Sequence, residues 1–390
     1  MSTCMYAQGH TFTMPSVIQY GEGALQQAKE CLRAIGTTAL IVTGETLVRL
    51  GSVSLVIDLL AEIGIKSHIF AEVNDEPTDE LVRVGVAVYQ SHACDCIVGI
   101  GGGSSLDTMK AIALMASTGL DIADPKITHS FVQPCNMVAI PTTAGTGSEA
   151  TQFTIIRDTQ HEVKMLIAHE RLIPNIAIVD PVFSSTAPAL VTAATGLDAL
   201  CHAVESYTSK NAQPLSKTYS LSATRRIFTY LPQCILEPDN KKARTEMSVA
   251  ALEAGIALNN AGVTLIHGMS RPLGAYFHVP HGFSNAMLME PCLQFVQEAA
   301  KDRFAEIARY CGLTEDKHDD QGAADFQAAV HELIHALPVP SMSEYGIEHA
   351  KLEELLDIMV SDALASGSPA NTIREVTAAD IKALYQSAYS

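Results

Sequence analysis

Positive charge is scarce in this chain. Lys and Arg number 25 against 43 Asp and Glu, a formal net charge of −18, and no Lys/Arg cluster stands out. Such a surface repels a phosphate backbone, which argues against nucleic acid as a partner. Long hydrophobic runs are also missing. The longest are broken by Gly or polar residues well short of the ~20 that a membrane helix requires, so no membrane partner is expected. The opening MSTCMYAQGHTF has no basic stretch followed by an apolar core, and a secretory leader is not expected there. No C-x-x-C occurs, and the nine cysteines are odd in number and scattered. That spacing argues against a disulfide framework and for a reducing cytoplasm, most of the thiols serving as small buried hydrophobes. Low-complexity tracts and internal repeats are absent too.

What is present is a soluble globular composition, 47% hydrophobic and 17% charged, over 390 residues. That length exceeds one ordinary core, so two domains are expected. The first half alternates. TTALIVTG (37–44), SHIFAEV (67–73), CIVGIGGG (96–103) and MVAIPTT (137–143) read as strands. LVRLGSVSLVIDLLAEIG (47–64) and ELVRVGVAVYQSH (80–92) have helical spacing. Strand and helix in turn predict a parallel sheet covered by helices on both faces. Beyond about residue 181 the strand-like runs give way to helical segments at 189–209, 215–230, 241–268, 294–311, 322–337 and 347–365. The expected organisation is an α/β dinucleotide-binding domain over 1–181 and an all-helical metal-binding and substrate domain over 182–390.

Two loops carry a phosphate-binding character. GIGGGSSLDTMK (99–110) follows a buried strand and opens a helix. Its consecutive glycines let backbone approach a ligand, and Ser104 and Ser105 add hydroxyls beside the free N–H groups of the helix start. The spacing is neither that of the Rossmann fingerprint nor that of a Walker loop. A tight turn without a ligand is the other reading of this loop alone. PTTAGTGSE (141–149) also follows a strand and packs hydroxyls and glycines together. Two such loops at the ends of neighbouring strands suit a dinucleotide.

A second constellation lies in TGLDALCHAVESY (195–207). Asp198 and His202 are four apart in a segment of strong helix formers and so share a face. Such pairs are common on solvated faces. Here, though, the neighbours Leu197, Ala199, Leu200, Ala203 and Val204 are apolar, so both groups would be buried and would need partners. LIHGMSRPLGAYFHVPHG (265–282) supplies His267 and His281. Three imidazoles and one carboxylate form a borderline N/O set suited to Fe(II) or Zn(II) rather than Ca or Mg, with positions left open to substrate. Arg271 and His278 stand close by in sequence, as supporting or substrate-facing groups. A buried divalent metal and a dinucleotide loop in one chain point to hydride transfer.

These residues carry a resemblance. FTMPSVIQYGEGAL (12–25), GGGSSLD, PTTAGTGSE, KMLIAHERLIPNIAIVDP (164–181), GLDALCHAVESY and HGMSRPLGAYFHVPHGFSNAMLM together resemble the iron-dependent (group III) alcohol dehydrogenases nearly end to end. The resemblance implies a two-domain fold with NAD(P) in the cleft and the metal on the helical side. It carries Asp198, His202, His267 and His281 over as metal ligands. Gly101, Gly102, Gly103, Ser104, Ser105 and Asp107 of the first loop carry over as cofactor contacts, as do Thr142, Thr143 and Thr146 of the second. Lys164 matches a family lysine near the cofactor. A homodimer or larger homo-oligomer is expected.

Two departures from the family pattern matter. Many members have an Asp in a Thr-Asp pair after the first domain strand, contacting the adenosine ribose; here the strand ends Thr43-Gly44-Glu45. Glu45 restores negative charge nearby and the nearest basic residue is Arg49, so NAD(H) is expected over NADP(H). Family members also often read His-x-Met-x-His-x-Leu-Gly, the second His lying beside the substrate. This chain has Arg271 there. A guanidinium does not pass protons as imidazole does, so a relay would run through His278, water or the cofactor ribose. Arg271 could instead grip an anionic substrate group or pair with a protein carboxylate as wall structure. The reading is an NAD(P)- and Fe(II)-dependent aldehyde reductase for a short substrate, either neutral or bearing an anionic group. A lyase like dehydroquinate synthase and a non-catalytic assembly module are the rivals.

Overall fold

The structure is a computed structural model and describes residues 9–129, 132–161 and 163–389. The segment MSTCMYAQ, where no secretory leader is expected, lies outside these residues. The chain divides into two compact units, one of residues 13–187 and one of residues 188–389 with 9–12.

The first unit is built on β1 (Val17–Tyr20), β2 (Thr38–Val42), β3 (Lys66–Phe70), β4 (Cys96–Gly101), β5 (Asn136–Pro141) and β8 (Ile176–Val179), in the order β1-β8-β5-β4-β2-β3. Every pairing in this sheet is parallel. β6 (Phe153–Asp158) and β7 (Val163–Ala168) form a separate antiparallel hairpin, in a stretch that the sequence reading did not assign. β4 is buried along its whole length, as a central parallel strand must be when both faces are covered. Its residues alternate between two cores. Ile97 joins Leu40, Val42, Phe70 and Ile112 on one face, while Cys96, Val98 and Ile100 join Ile41, Val56 and Leu59 on the other. Numbering the helices of more than ten residues, α1 (Ser52–Glu62) covers the second face, and α2 (Asp79–Ser91) and α3 (Gly103–Thr118) cover the first. The single helix expected over 47–64 is interrupted by Gly51, which takes φ +78.

Between β2 and β4 the chain reverses its direction of travel across the sheet, since β3 lies outside β2. Ligands of such sheets bind at the carboxyl ends of the strands beside this switch. Thr43 follows β2 there, Gly101 ends β4, and Thr142 follows β5.

The second unit is helical: α4 (Ala189–Thr208), α5 (Pro214–Leu236), α6 (Lys241–Ala261), α7 (Leu265–Phe277), α8 (His281–Cys311), α9 (Asp319–His335), α10 (His349–Ala365) and α11 (Ala378–Tyr389). The expected helix 241–268 is in fact two. Gly262 at φ +72 ends α6, and α7 begins after Thr264. The segment 265–282, opaque as a sequence, is thus one short helix, a tight turn at 278–280, and the first residues of a long one. His278 makes that turn in the left-handed region, at φ +54, a conformation costly for a side chain with a Cβ. The Tyr345 hydroxyl donates to its carbonyl at 2.8 Å, which pins the turn. No single described helix is long and apolar enough to cross a membrane. The eight described cysteines are all unpaired.

Candidate metal centre and cofactor loops

Three helices of the second unit converge on one point. α4 brings Asp198 and His202, α7 brings His267 as its third residue, and α8 begins with His281. The Asp198 Oδ1 atom lies 3.7 Å from His202 Nε2, 3.6 Å from His267 Nε2 and 3.6 Å from His281 Nε2. The rings of His202 and His267 stack at 4.6 Å, and that of His281 meets His267 edge-on at 5.2 Å. Asp198, His202 and His267 are buried, whereas His281 keeps 47% of its side chain exposed. The centre therefore opens on the His281 side.

The backbone fixes these spacings at one contact above all. A Cβ on Gly282 would lie 2.1 Å from the Ala194 carbonyl oxygen. The start of α8 is seated directly on the main chain of α4, one helical turn before Asp198.

Asp198 feels burial, which raises a carboxyl pKa, but the imidazoles of His202, His281 and His267 outweigh it and hold it well below the usual range. His281 is pushed down to about 4, by burial of its ring nitrogens and then by the neighbouring positive groups. It therefore offers a lone pair at neutral pH. His267 is subject to the same burial, yet Glu205 and Asp198 lift it to about 9. An ion binding there must displace that proton.

Glu205 is the functional residue that the sequence reading missed. It lies on α4, one turn beyond His202, fully buried. One oxygen accepts from the Thr264 hydroxyl and the Ile266 N–H, both at 2.7 Å, and the other takes His267 Nδ1 at 2.5 Å. It thus satisfies an orphan N–H at the start of α7, places negative charge at that helix N-terminus, and fixes which nitrogen of His267 points inward. His267 Nε2 is left facing Asp198. A carboxylate behind a ligand imidazole is the arrangement that orients metal ligands and raises their basicity. The signal was available: Glu205 follows Asp198 at i+7 on the same helical face.

Asn285, one turn into α8, donates its amide to Asp198 Oδ1 at 2.7 Å and lies 3.2 and 3.3 Å from the Nε2 atoms of His267 and His281. One carboxylate oxygen and two imidazole nitrogens, all within 4.8 Å of one another, converge on a single neutral N–H group. Electron-pair donors so clustered fit a divalent cation, and the donor set fits a borderline metal.

Arg271 follows His267 by one turn of α7. Burial lowers its guanidinium from its ordinary range while Glu205 pulls it back. It makes no hydrogen bond or ion pair with another described residue. His278 is exposed and is not among the residues whose ligand atoms group with Asp198.

In the α/β unit, the loop 101–105 and the loop 142–146 are packed together. The Thr142 N–H donates to Gly101 O at 3.0 Å, and a Cβ on Gly103 would come within 3.2 Å of Thr146 Cγ2. A Cβ on Gly101 would lie 2.3 Å from Ser105 Oγ. α3 starts at Gly103, and its N-cap Gly102 has no side chain to cap it, so its first N–H groups remain available to an anion. The hydroxyls of Thr43 and Thr143 are buried with no hydrogen-bond partner. Ser104 is exposed and Ser105 buried. Orphaned hydroxyls beside an uncapped helix start fit a dinucleotide phosphate and ribose.

Two carried-over residues are engaged elsewhere. Asp107 uses both oxygens, taking the Ser148 hydroxyl at 2.8 Å and the Ile155 N–H at 2.9 Å. It braces the loop from beneath, together with Lys110, whose ammonium donates to Ser148, Thr151 and the Phe153 carbonyl. Lys164, on β7, pairs with Glu76 at 2.5 Å on the surface.

With this geometry in hand, the comparisons decide the family. The family model for iron-containing alcohol dehydrogenase matches residues 15–181, and that for the C-terminal part of the Fe-containing alcohol dehydrogenase family matches residues 192–389. This chain belongs to the iron-containing alcohol dehydrogenases. It is therefore an oxidoreductase, as the sequence motifs indicated. Among its relatives, an NAD-dependent methanol dehydrogenase of Bacillus methanolicus is 35% identical over 387 residues, covering 97% of this chain and 99% of the relative. A crystal structure of 1,3-propanediol oxidoreductase superposes with a TM-score of 0.93 at 32% identity, covering 98% of this chain and all of the other. Sulfoacetaldehyde reductase from Bifidobacterium kashiwanohense, in complex with NAD+, gives a TM-score of 0.89 at 28% identity over 98% and 100% of the two chains.

Proposed function

We propose that this iron-containing alcohol dehydrogenase is an NADH-dependent reductase of short aldehydes bearing an anionic group. Asp198, His202, His267 and His281 would hold Fe(II), and the loops 101–105 and 142–146 would hold the cofactor phosphates and ribose. Bound Fe(II) supplies a Lewis acid to the substrate oxygen and NADH supplies the hydride. Glu205 keeps His267 Nε2 aimed at the centre, and Asn285 donates to the Asp198 oxygen. His278, exposed at the turn before His281, would stand on the solvent side of a proton path.

The observation that carries the substrate class is Arg271. A largely buried guanidinium without a carboxylate bond among the described residues lacks its usual compensation. It stands one helical turn from His267, where an anionic tail would meet it in bidentate fashion. The likeness to a sulfoacetaldehyde reductase supports the same class of substrate.

Preference for NADH is supported at Gly44. A Cβ there would lie 2.5 Å from the Val73 carbonyl, so no larger residue fits without moving β3's exit. Gly44 bridges to Glu72, with Glu45 next to it in the chain. Negative charge on both sides opposes a 2′-phosphate. Unpaired cysteines and the acidic surface support a cytoplasmic location.

The test is anaerobic reconstitution with Fe(II), followed by NADH oxidation against two aldehydes of equal length, one neutral and one anionic. A kcat/KM preference of at least ~100-fold for the anionic aldehyde, close to 3 kcal/mol, is expected, and Arg271→His should abolish it. Equal turnover of the neutral aldehyde overturns the proposal.

A further inference from the structure

A second convergence of ligand atoms lies away from the residues already described. Glu290, on α8, faces His331 and His335 on α9. The two carboxylate oxygens divide between the rings, Oε2 lying 2.8 Å from His331 Nδ1 and Oε1 3.4 Å from His335 Nε2. The rings are 4.2 Å apart, tilted at 55°. One donor atom from each of the three residues lies within 4.8 Å of the other two.

We infer that Glu290, His331 and His335 form a peripheral site for a borderline divalent cation of the Zn(II) class, which clamps α8 to α9. Histidines four apart share a helical face, so both project toward the neighbouring helix without rearrangement. Two imidazoles and one carboxylate match Zn(II), Co(II) or Ni(II) better than Mg(II) or Ca(II), which require more oxygen ligands. Side-chain exposures of 57% for His331, 63% for His335 and 37% for Glu290 leave room for water at the remaining positions. His335 is also the last residue of α9, where the helix dipole favours positive charge.

A surface ion pair would explain one of these contacts. It does not explain why two imidazoles crowd a single carboxylate. Exposed pairs gain little, so an ion pair gives no reason to hold both rings in one geometry. A cation bound by all three accounts for the convergence, since each side chain then offers it one ligand atom. The site is independent of the iron centre in its ligands, yet shares a helix with it. His281 begins α8, and Glu290 follows nine residues later.

The experiment uses the full-length, untagged protein and measures Zn(II) uptake by equilibrium dialysis against a zinc buffer in the low micromolar range, with melting temperature recorded in parallel. Wild type should take up one equivalent more than His335→Gln, and Zn(II) should raise the melting temperature of wild type more than that of the variant. A surface histidine is replaced, so the variant should fold, and circular dichroism checks this. His281→Ala should retain the step that His335→Gln loses. If His335→Gln matches wild type in both stoichiometry and thermal shift, the inference is overturned. If His281→Ala changes nothing while His335→Gln loses its step, the reading of the iron centre fails and this one stands.

Discussion

The two units present their candidate ligand groups by opposite means. In the α/β unit the candidate contact groups are neutral: backbone N–H at the start of α3, glycine Cα atoms and threonine hydroxyls. The charged residues Asp107, Lys110 and Glu149 lie underneath and brace the loop. In the helical unit the charged and titratable residues themselves form the centre, and Glu205 behind them is charged as well. A ligand gripped by main chain depends on what is missing at each position, namely side chains. One gripped by carboxylate and imidazole depends on what is present. The first arrangement should therefore fail by crowding, and the second by loss of a partner.

The largest test of that contrast is His267→Ala. It should abolish metal uptake and also cost the helical unit about 3–5 kcal/mol, because Glu205 would keep a buried charge without its main partner. Metal analysis and urea unfolding measure the two effects separately. A variant that loses metal but no stability would mean that Glu205 is compensated elsewhere.

Next comes the charge beneath the cofactor loop. Burial lifts Glu149 to about 7, above the ~4.5 of an exposed glutamate. Between these values the folded chain binds a proton that the unfolded chain has released, so stability falls as pH rises through this window. Relative to wild type, Glu149→Gln should remove that fall, worth roughly 3 kcal/mol. Urea midpoints at the two ends of the window give the difference. Parallel curves for the two proteins would refute it.

Glu205→Gln should follow. It keeps the shape but donates where it should accept, and metal affinity should drop ~10–100-fold, read by chelator competition. The smallest effect is expected from Gly101→Ala. The added methyl forces Ser105 aside and should weaken NADH binding roughly tenfold, about 1.4 kcal/mol, by fluorescence titration, with metal content unchanged. Loss of metal in that variant would erase the distinction between the units.

How far these features could be read from the sequence differs by their physical origin. β2, β4 and β5 were legible because burial on both faces makes a continuous apolar run, whereas the edge strand β3, partly exposed, was legible only as a short β-rich stretch between two helical ones. Asp198, His202, His267 and His281 stood out as a candidate set because ligand chemistry limits residue type and helix geometry limits spacing, and the structure brings the three imidazoles to the Asp198 carboxylate. The break between α6 and α7 was not, because Gly262 in a run of helix formers reads as a tolerated interior glycine until its φ is known. Asp107 looked like part of a ligand loop, whereas its oxygens turn inward to Ser148 and Ile155, a direction that sequence spacing does not specify. Glu205 and the Glu290 group were missed for a related reason. Their meaning lies in partners 62 and 41 residues away, which only the packing of helices brings together.

The seat of Gly282 on the Ala194 carbonyl has a consequence for anyone who wishes to reshape this enzyme. Side chains around the centre can be exchanged without moving the backbone that sets its ligand spacing. Position 282 is different in kind. A single methyl there would drive α8 off α4 and carry His281 away from Asp198, so a mutant library that samples it samples mostly dead enzymes. The smallest residue in the chain sets the bore of its most demanding site.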